Sequence, residues 1–184
     1  VDYSTTSGAD ARWSAVVKDG KYPAQRANDA KALTYTTAPL ERDLEVIGHP
    51  VAHLWLTAEA PDLDVFVYLE EVDAQGNVAY VTEGNLRASH RAVAEAPFDH
   101  LGLPFHRSYE EDIAPIPDGE PFELVFDLLP TARRFRPGTC IRIAVTCADA
   151  DHCDPPVLGP APRAHLLRDA VHASFIELPL SPVA

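Results

Sequence analysis

The chain has 184 residues, of which 46% are hydrophobic and 23% are charged, the proportions of an ordinary globular protein. That length suits one domain that buries about 70% of the surface exposed by the unfolded chain. The formal charge of -13, from 28 Asp and Glu against 15 Lys and Arg, opposes binding to phosphate backbones and anionic lipid surfaces. We therefore expect a single domain over residues 1–184, with neither nucleic acid nor membrane as a partner.

The sequence contains no Met and begins at Val1 with polar, turn-forming residues instead of a basic and then apolar signal segment. No apolar run approaches the roughly 18 residues needed to span a bilayer. These features predict either a processed precursor or, more simply, a domain excised from a longer protein. The three cysteines, Cys140, Cys147 and Cys153, are an odd number, which favours free thiols and a reducing, cytoplasmic compartment.

The first clear strand is predicted over Val51–Ala58, because apolar residues alternate there with a period of two. This spacing places Leu54 and Leu56 on one face of the strand and His53 and Trp55 on the other. Seventeen prolines in the whole chain predict many turns and few long helices.

The next segment, 65–69, is apolar on both faces, which predicts a strand in the middle of a sheet. We expect a second sheet to cover one of its faces and loops or a partner to cover the other. Residues 73–77 supply a turn in which Gly76 is free to adopt a positive φ. Residues 78–82 are then predicted to return antiparallel, forming a β-hairpin.

Residues 122–145 are predicted to form a strand, a tight turn and a second strand. The alternation over 122–128 ends at Pro130, which cannot donate to a β-ladder, and the turn at 136–138 leads into the strand 141–146. A closing strand is predicted over 173–180, whereas 95–121 and 149–168 are expected to be irregular. Many short strands joined by long crossovers indicate an all-β, two-sheet sandwich, most simply a jelly roll.

No recognisable catalytic group is present in the sequence. No serine occupies the G-x-S-x-G elbow that carries the nucleophile of α/β-hydrolases. Ser89 and His90 are neighbours on a predicted strand, so their side chains are expected to point to opposite faces and cannot form a nucleophile and base pair. We therefore predict no catalytic residue in this chain.

The acidic segment 149–154 is a candidate cation site, because Asp149, Asp151 and Asp154 supply oxygen donors. The EF-hand pattern fails at Cys153 and again at Asp154, where glycine would be required. Cys147, His152 and Cys153 also lack a usual zinc spacing. We interpret the segment as a solvated acidic loop and predict neither a metal nor a cofactor, with cation binding as the alternative.

Four aromatic side chains, those of Trp13, Trp55, Tyr68 and Tyr80, allow two interpretations. They could form a sugar-binding face, since aromatic rings stack on sugars in many jelly rolls. Alternating aromatic residues are equally typical of a sandwich core. The first interpretation would make the chain a free-standing carbohydrate-binding module.

A basic cluster, formed by Arg87, His90 and Arg91, stands out in so acidic a protein. These side chains could pair with carboxylates of the same domain. Alternatively, they could dock against an acidic partner surface, where the planar guanidinium groups of arginine would orient the contact. We predict the cluster as a candidate interface.

Three segments resemble one protein family: LTYTTAPLERDLEVIGHPVAHLWLTAEAPDLDVFVYLEEVDAQG from Leu33, VTEGNLRASHR from Val81, and GEPFELVFDLLPTARRFRPGTCIRIAV from Gly119. They are similar to the C-terminal domain of the X-Pro dipeptidyl-peptidase class of serine hydrolases, which includes the cocaine esterase-like acyl hydrolases. The resemblance covers most of the chain, and the opening VDYSTTSG resembles the point where that domain begins.

The resemblance implies a jelly roll of the galactose-binding-like type, packed against a catalytic α/β-hydrolase domain of the same parent chain. That family places its Ser, Asp and His triad outside this domain, so no triad residue is assigned here. The implied function is an accessory domain that supports the catalytic domain and helps to shape its substrate cleft. The parent would hydrolyse an ester, an amide or an aminoacyl-proline bond, and substrate would be reached only through the catalytic domain.

Overall fold

The computed structural model describes residues 1–11, 22, 24–156 and 160–181. These residues form eleven β-strands, a single helical turn α1 (Arg26–Asp29) and two 3₁₀ turns, Ala88–His90 and Glu110–Asp112. The strands are β1 (Leu33–Thr36), β2 (Leu44–Gly48), β3 (Val51–Ala58), β4 (Asp64–Val72), β5 (Val78–Arg87), β6 (Phe122–Asp127), β7 (Thr131–Phe135), β8 (Cys140–Thr146), β9 (Ala164–Leu167), β10 (Phe175–Glu177) and β11 (Leu180–Ser181). The described helices are all too short to cross a membrane.

The strands form two packed layers. The first, here called the flat sheet, has the order β1-β8-β4-β5, and the second contains β10-β3-β6 with β9 beside β3. All strand pairs are antiparallel, and buried apolar residues of both layers form one core between them. The prediction of an all-β sandwich is confirmed.

The second layer is bent. A further group of strands, β11-β2-β7, continues β10-β3-β6 in the same neighbour order. Two or three residues separate β2 from β3, β6 from β7, and β10 from β11. Each of these breaks contains a proline: Pro50, Pro130 and Pro179. We call the two groups together the bent sheet and their common boundary the proline line. Hydrogen bonds from Leu128 N to Pro50 O (2.8 Å) and from Ile47 N to Pro179 O (2.9 Å) hold the boundary together.

Strand β4 lies in the interior of the flat sheet, paired with β5 and β8, and all nine of its residues are buried. One face of the strand contributes to the main core. The other face forms a second buried cluster of Phe66, Tyr68 and Ala144. Partly buried Ala32, Tyr80 and Cys153 cover this cluster. The sequence prediction of a central strand apolar on both faces is therefore confirmed.

The hairpin predicted after β4 is also confirmed. Val72 pairs with Val78, and Gly76 adopts a φ of +79° in the turn between them. The ladder is irregular between Leu69 and Glu70, where the register shifts by one residue. This bulge decides which side chains of β4 and β5 face each other farther along the hairpin.

The two layers approach closely where β5 passes the end of β6. A Cβ atom added at Gly84 would lie 2.7 Å from the carbonyl oxygen of Asp127 and 2.9 Å from the Cα atom of Leu128. Both are backbone atoms, which cannot move as a flexible side chain can. Glycine is therefore required at this position by space alone.

Three of the predicted elements are wrong in part. Residues 122–145 contain an additional strand, β7, after Pro130, and β6 and β8 belong to different sheets. The predicted closing strand 173–180 is interrupted at Pro179 and forms β10 and β11. Part of the segment expected to be irregular, 149–168, forms β9 and pairs with β3. In the first two cases the strands end because proline supplies no backbone N–H.

Candidate functional site

The basic cluster is divided between two environments. Arg87 lies at the end of β5, opposite Asp64 of β4. Its guanidinium group donates two hydrogen bonds to that carboxylate, from Nε to Oδ1 at 2.8 Å and from Nη2 to Oδ2 at 2.9 Å. This paired arrangement raises the pKa of Arg87 further and fixes the orientation of the side chain. Arg87 is thus held by a carboxylate of its own domain.

Arg91 is bound to backbone instead of to a carboxylate. Its Nη1 atom donates to the carbonyl oxygens of Ala88 at 3.1 Å and Ala114 at 2.7 Å, and its Nη2 atom donates to that of Pro115 at 3.2 Å. The side chain therefore ties the end of the long connection between β5 and β6 to the 3₁₀ turn. Its role in the structure is to anchor that connection.

His90 lies beside Arg87 in a surface cleft of about 490 Å³. Asp64, Ser108 and Cys153 also line this cleft. The pKa of the Cys153 thiol is raised, mainly by burial and then by Asp149, so that the sulfur stays protonated near neutral pH. The structure thus brings Arg87 and His90 into one cleft. Arg91 does not line it and is bound to backbone carbonyl oxygens instead.

Ser89 belongs to the 3₁₀ turn Ala88–His90 and not to the predicted strand. Its hydroxyl group donates to Asp62 Oδ2 at 2.7 Å, and its backbone N–H donates to Asp62 Oδ1 at 2.9 Å. Asp62 therefore fixes the turn, and Ser89 is bonded to a carboxylate instead of to a histidine base. The premise that Ser89 and His90 lie on a strand was wrong, because β5 ends at Arg87.

The interpretation of 149–154 as a solvated loop is also wrong in part, since Asp149 is 1% exposed. Its Oδ2 atom accepts hydrogen bonds from Ser7 Oγ at 2.5 Å and from the Tyr68 hydroxyl at 3.3 Å. Thr6 Oγ1 donates to Asp151 Oδ2 at 2.6 Å. These carboxylates connect the first residues of the chain to the end of β8. Within the described residues no group of three or more His, Cys, Asp or Glu side chains could hold a metal ion.

The four aromatic residues do not form a shared face. Tyr68 is buried on the face of the flat sheet that is turned away from the main core. Tyr80 stacks on Tyr22 with ring centroids 3.5 Å apart. Trp55 lies on the bent sheet, where it contacts His172 edge to face at 5.0 Å. Trp13 lies outside the described residues. The sugar-binding interpretation is therefore not favoured, because the described rings lie on different layers.

A buried acidic pair lies on the outer face of the flat sheet. Glu70 of β4 is 0% exposed, and burial together with the neighbouring Asp29 carboxylate raises its pKa to about 8. Arg142 of β8 opposes this shift and donates to Asp29 Oδ2 at 2.7 Å. Among the residues that the structure describes, no group donates a hydrogen bond to either oxygen of Glu70 or to Oδ1 of Asp29. The raised pKa keeps a proton on Glu70 near neutral pH, and this proton supplies one donor to the cluster.

The connection from β5 to β6 exposes large apolar side chains. Half of those that are exposed among the described residues lie in 93–113, which we call the apolar loop: Val93, Phe98, Leu101, Tyr109 and Ile113. The loop is internally bonded, with Ala94 N donating to Phe105 O at 2.8 Å, and the rings of Phe98, His100 and Phe105 pack edge to face. Sequence analysis treated this segment as irregular and missed its exposed apolar surface.

Comparison with known proteins identifies the domain. A model of the X-Pro dipeptidyl-peptidase C-terminal non-catalytic domain matches residues 2–172. The chain belongs to that family. Two mycobacterial proteins, from Mycobacterium bovis and Mycobacterium tuberculosis, carry the name "Putative serine esterase" and are each 45% identical over 98% of this chain. The resemblance stated from sequence is therefore confirmed.

Solved structures of larger enzymes contain the same fold. A CocE/NonD family hydrolase from Staphylococcus aureus superposes with a TM-score of 0.68 at 18% identity, covering 82% of this chain and 30% of its own. An α-amino acid ester hydrolase gives 0.68 at 20% identity, covering 86% and 27%. An aminopeptidase from a marine sediment archaeon, Thaumarchaeota archaeon, gives 0.68 at 19% identity, covering 85% and 27%. The chain also spans only 29% of the length of the mycobacterial relatives.

Proposed function

We propose that residues 1–184 form a single accessory domain of a longer serine hydrolase, and that this domain packs on the catalytic α/β-hydrolase domain of the same chain. The observation that carries the proposal is the match of 2–172 to a non-catalytic domain family. The absence of a G-x-S-x-G elbow from the sequence agrees with it. In this arrangement the domain stabilises the catalytic domain and forms part of the wall of its substrate cleft.

The apolar loop supports a docking role. Leu101 is 76% exposed, and Phe98, Tyr109 and Val93 are each more than half exposed. Clustered apolar side chains of this kind mark interaction surfaces, because single proteins seldom leave them in water together. An interdomain contact needs an area on the order of 1,000 Å², which a loop of this length can supply together with the surface beside it.

The basic cluster adjoins this loop and is proposed as the polar part of the same interface. Arg91 anchors the loop through Ala114 and Pro115. Arg87 and His90 share their cleft with Ser108, which belongs to the loop. Arg87 is already paired with Asp64, so it offers a fixed guanidinium edge more than a free charge. An apolar centre with charged groups at its rim is the usual composition of such interfaces.

The reaction of the parent is proposed as hydrolysis of an ester, an amide or an aminoacyl-proline bond. The family description and the names of the mycobacterial relatives support this range. We expect the 184-residue chain to fold cooperatively and to hydrolyse neither p-nitrophenyl acetate nor an aminoacyl-proline p-nitroanilide above the buffer rate. Turnover that is lost in Ser89→Ala would contradict the non-catalytic assignment.

Docking is tested by comparing the parent protein with the 184-residue chain. We expect Leu101→Ser combined with Phe98→Ser to lower the melting temperature of the parent by several degrees and to leave that of the chain alone nearly unchanged. Val171→Ser is the matched control, since Val171 is 79% exposed and lies outside the apolar loop. Equal effects of the loop variant on parent and chain would show that the loop stabilises only its own domain.

A further inference from the structure

The sandwich is open along one edge. There β1 of the flat sheet lies opposite β9 and β10 of the bent sheet, and the layers enclose a cavity of about 380 Å³. Its walls are mainly aliphatic, formed by Leu54, Ile141, Ile143, Val145, Leu166 and Ile176. Cavities of this size and composition are typical of sites for small ligands.

The apolar walls are incompletely covered by the chain itself. Ile143, Leu166 and Ile176 face the interior and pack against the main core, yet each is only partly buried. On the opposite side of the sandwich, β5 packs directly on β6 at Gly84. An apolar group entering the opening beside β1 would complete the burial of these three side chains.

Two polar groups lie at the mouth of this cavity. The guanidinium group of Arg168 is 4.9 Å from the centre of the Tyr35 ring, and both residues line the cavity. Across residues 1–11, 22, 24–156 and 160–181, Arg168 makes no ion pair with a carboxylate, and the Tyr35 hydroxyl has no hydrogen-bond partner. Arg87, Arg133 and Arg142, in contrast, are each paired with an acid of the domain. The mouth thus offers the guanidinium group of Arg168 and the hydroxyl group of Tyr35 as hydrogen-bond donors to a ligand.

These features define the chemistry of the ligand. An apolar interior favours an alkyl or arylalkyl chain, while a guanidinium beside a phenol favours a carboxylate, to which both can donate hydrogen bonds. We propose that this edge of the sandwich binds an apolar carboxylic acid, with its tail between the two sheets and its carboxylate at Arg168 and Tyr35. The cavity is concave, and its lining residues lie outside the apolar loop, which favours a small molecule over a protein surface. The proposal goes beyond docking and does not depend on it.

Binding is measured by calorimetry with the 184-residue chain, using octanoate, butanoate and octan-1-ol as probes. Each buried methylene group strengthens binding about fourfold, so octanoate should bind on the order of 100-fold more tightly than butanoate. Octan-1-ol lacks the negative charge, so its affinity should be lower than that of octanoate by about tenfold or more. Arg168→Gln should remove this preference for the acid while leaving octanol binding unchanged.

Arg136→Gln serves as the control for charge, because Arg136 is an exposed arginine in a turn that does not line the cavity. Ile176→Phe should fill part of the cavity and weaken binding of octanoate and octanol alike, and its melting curve shows whether the variant is folded. Since Arg168 is itself exposed, its substitution leaves the core intact and provides a test even if Ile176→Phe fails to fold.

Three outcomes would overturn the proposal. The first is the absence of both a heat of binding and a change in backbone amide NMR shifts when octanoate is added at millimolar concentration. The second is equal octanoate affinity of Arg168→Gln and the unsubstituted chain. The third is binding by the 184-residue chain that is absent from the parent protein, which would show that the rest of the parent covers this edge and that the cavity is part of a contact between domains.

Discussion

The buried carboxyl of Glu70 makes the stability of this domain depend on pH in an uncommon direction. The pKa of Glu70 is raised from 4.5 to about 8 in the folded chain, chiefly by burial and then by the charge of Asp29. Folding therefore binds a proton wherever the pH lies between these two values. Because the unfolded state then holds fewer protons than the folded state, the free energy of unfolding falls as pH rises from about 4.5 to 8.

The size of the effect follows from the same values. The difference of 8 minus 4.5 corresponds to an upper bound of about 5 kcal/mol, at about 1.4 kcal/mol for each pKa unit. Relaxation of the site and entry of water reduce this penalty, which leaves a few kcal/mol. Glu70→Gln keeps the shape, removes the titration and supplies an amide N–H to Oδ1 of Asp29, which accepts no hydrogen bond from the described part of the chain. We expect the variant to be about 2–4 kcal/mol more stable than the unsubstituted chain at pH 8.

The assay is urea unfolding of both proteins at pH 5, 6.5 and 8. The gain from Glu70→Gln should be smallest at pH 5 and should grow steadily with pH. Glu71→Gln is the control, because the neighbouring side chain accepts a hydrogen bond from Arg133 Nε at 2.9 Å and its neutralisation should destabilise the domain. A gain that is the same at all three pH values, or a loss at pH 8, would refute the raised pKa of Glu70.

Three further predictions concern packing and anchoring. Gly84→Ala should destabilise the domain by about 2–3 kcal/mol and lower its melting temperature by roughly 4–12 °C, because the new methyl group meets backbone atoms. The control Gly76→Ala, which has open space but a φ of +79°, should cost only about 1 kcal/mol. Equal losses in the two variants would show that space does not limit residue 84. Asp149→Ala should cost about 3 kcal/mol in urea unfolding, since buried hydroxyl donors lose their acceptor, and an unchanged midpoint would count against that network. Arg91→Ala should speed cleavage of the apolar loop by a nonspecific protease at unchanged melting temperature, and unaltered cleavage would argue against the anchoring role.

Strands with long, regular alternation could be predicted from the sequence. Val51–Ala58 was predicted with the bounds that the structure shows, because eight residues alternate without interruption. Short edge strands were missed, since the four residues of Leu33–Thr36 and of Ala164–Leu167 are too few to establish a period. Proline was recognised as an end signal at Pro130 but not at Pro179, where the apolar residues on both sides suggested one continuous strand.

The pairing of Arg87 with Asp64 shows why the candidate site could be predicted only in part. The basic residues are visible in the sequence, as is the turn that pairs Val72 with Val78. Continuing that register without interruption would place Leu86, not Arg87, opposite Asp64. The bulge between Leu69 and Glu70 shifts the ladder by one residue and brings the two charges together. No sequence signal marks that bulge, so the ion pair required a structure.

The proline line has a consequence for how the strands of the bent sheet find their alignment. Pro50, Pro130 and Pro179 lie at the same level of three neighbouring strands, where no ladder hydrogen bond is required of their nitrogen atoms. If one strand slid by a residue or two, its proline would enter the ladder of a neighbour and leave a carbonyl oxygen without a donor. Misaligned pairings are thus disfavoured by the backbone before any side chain is packed. The three prolines act together as a stop against sliding.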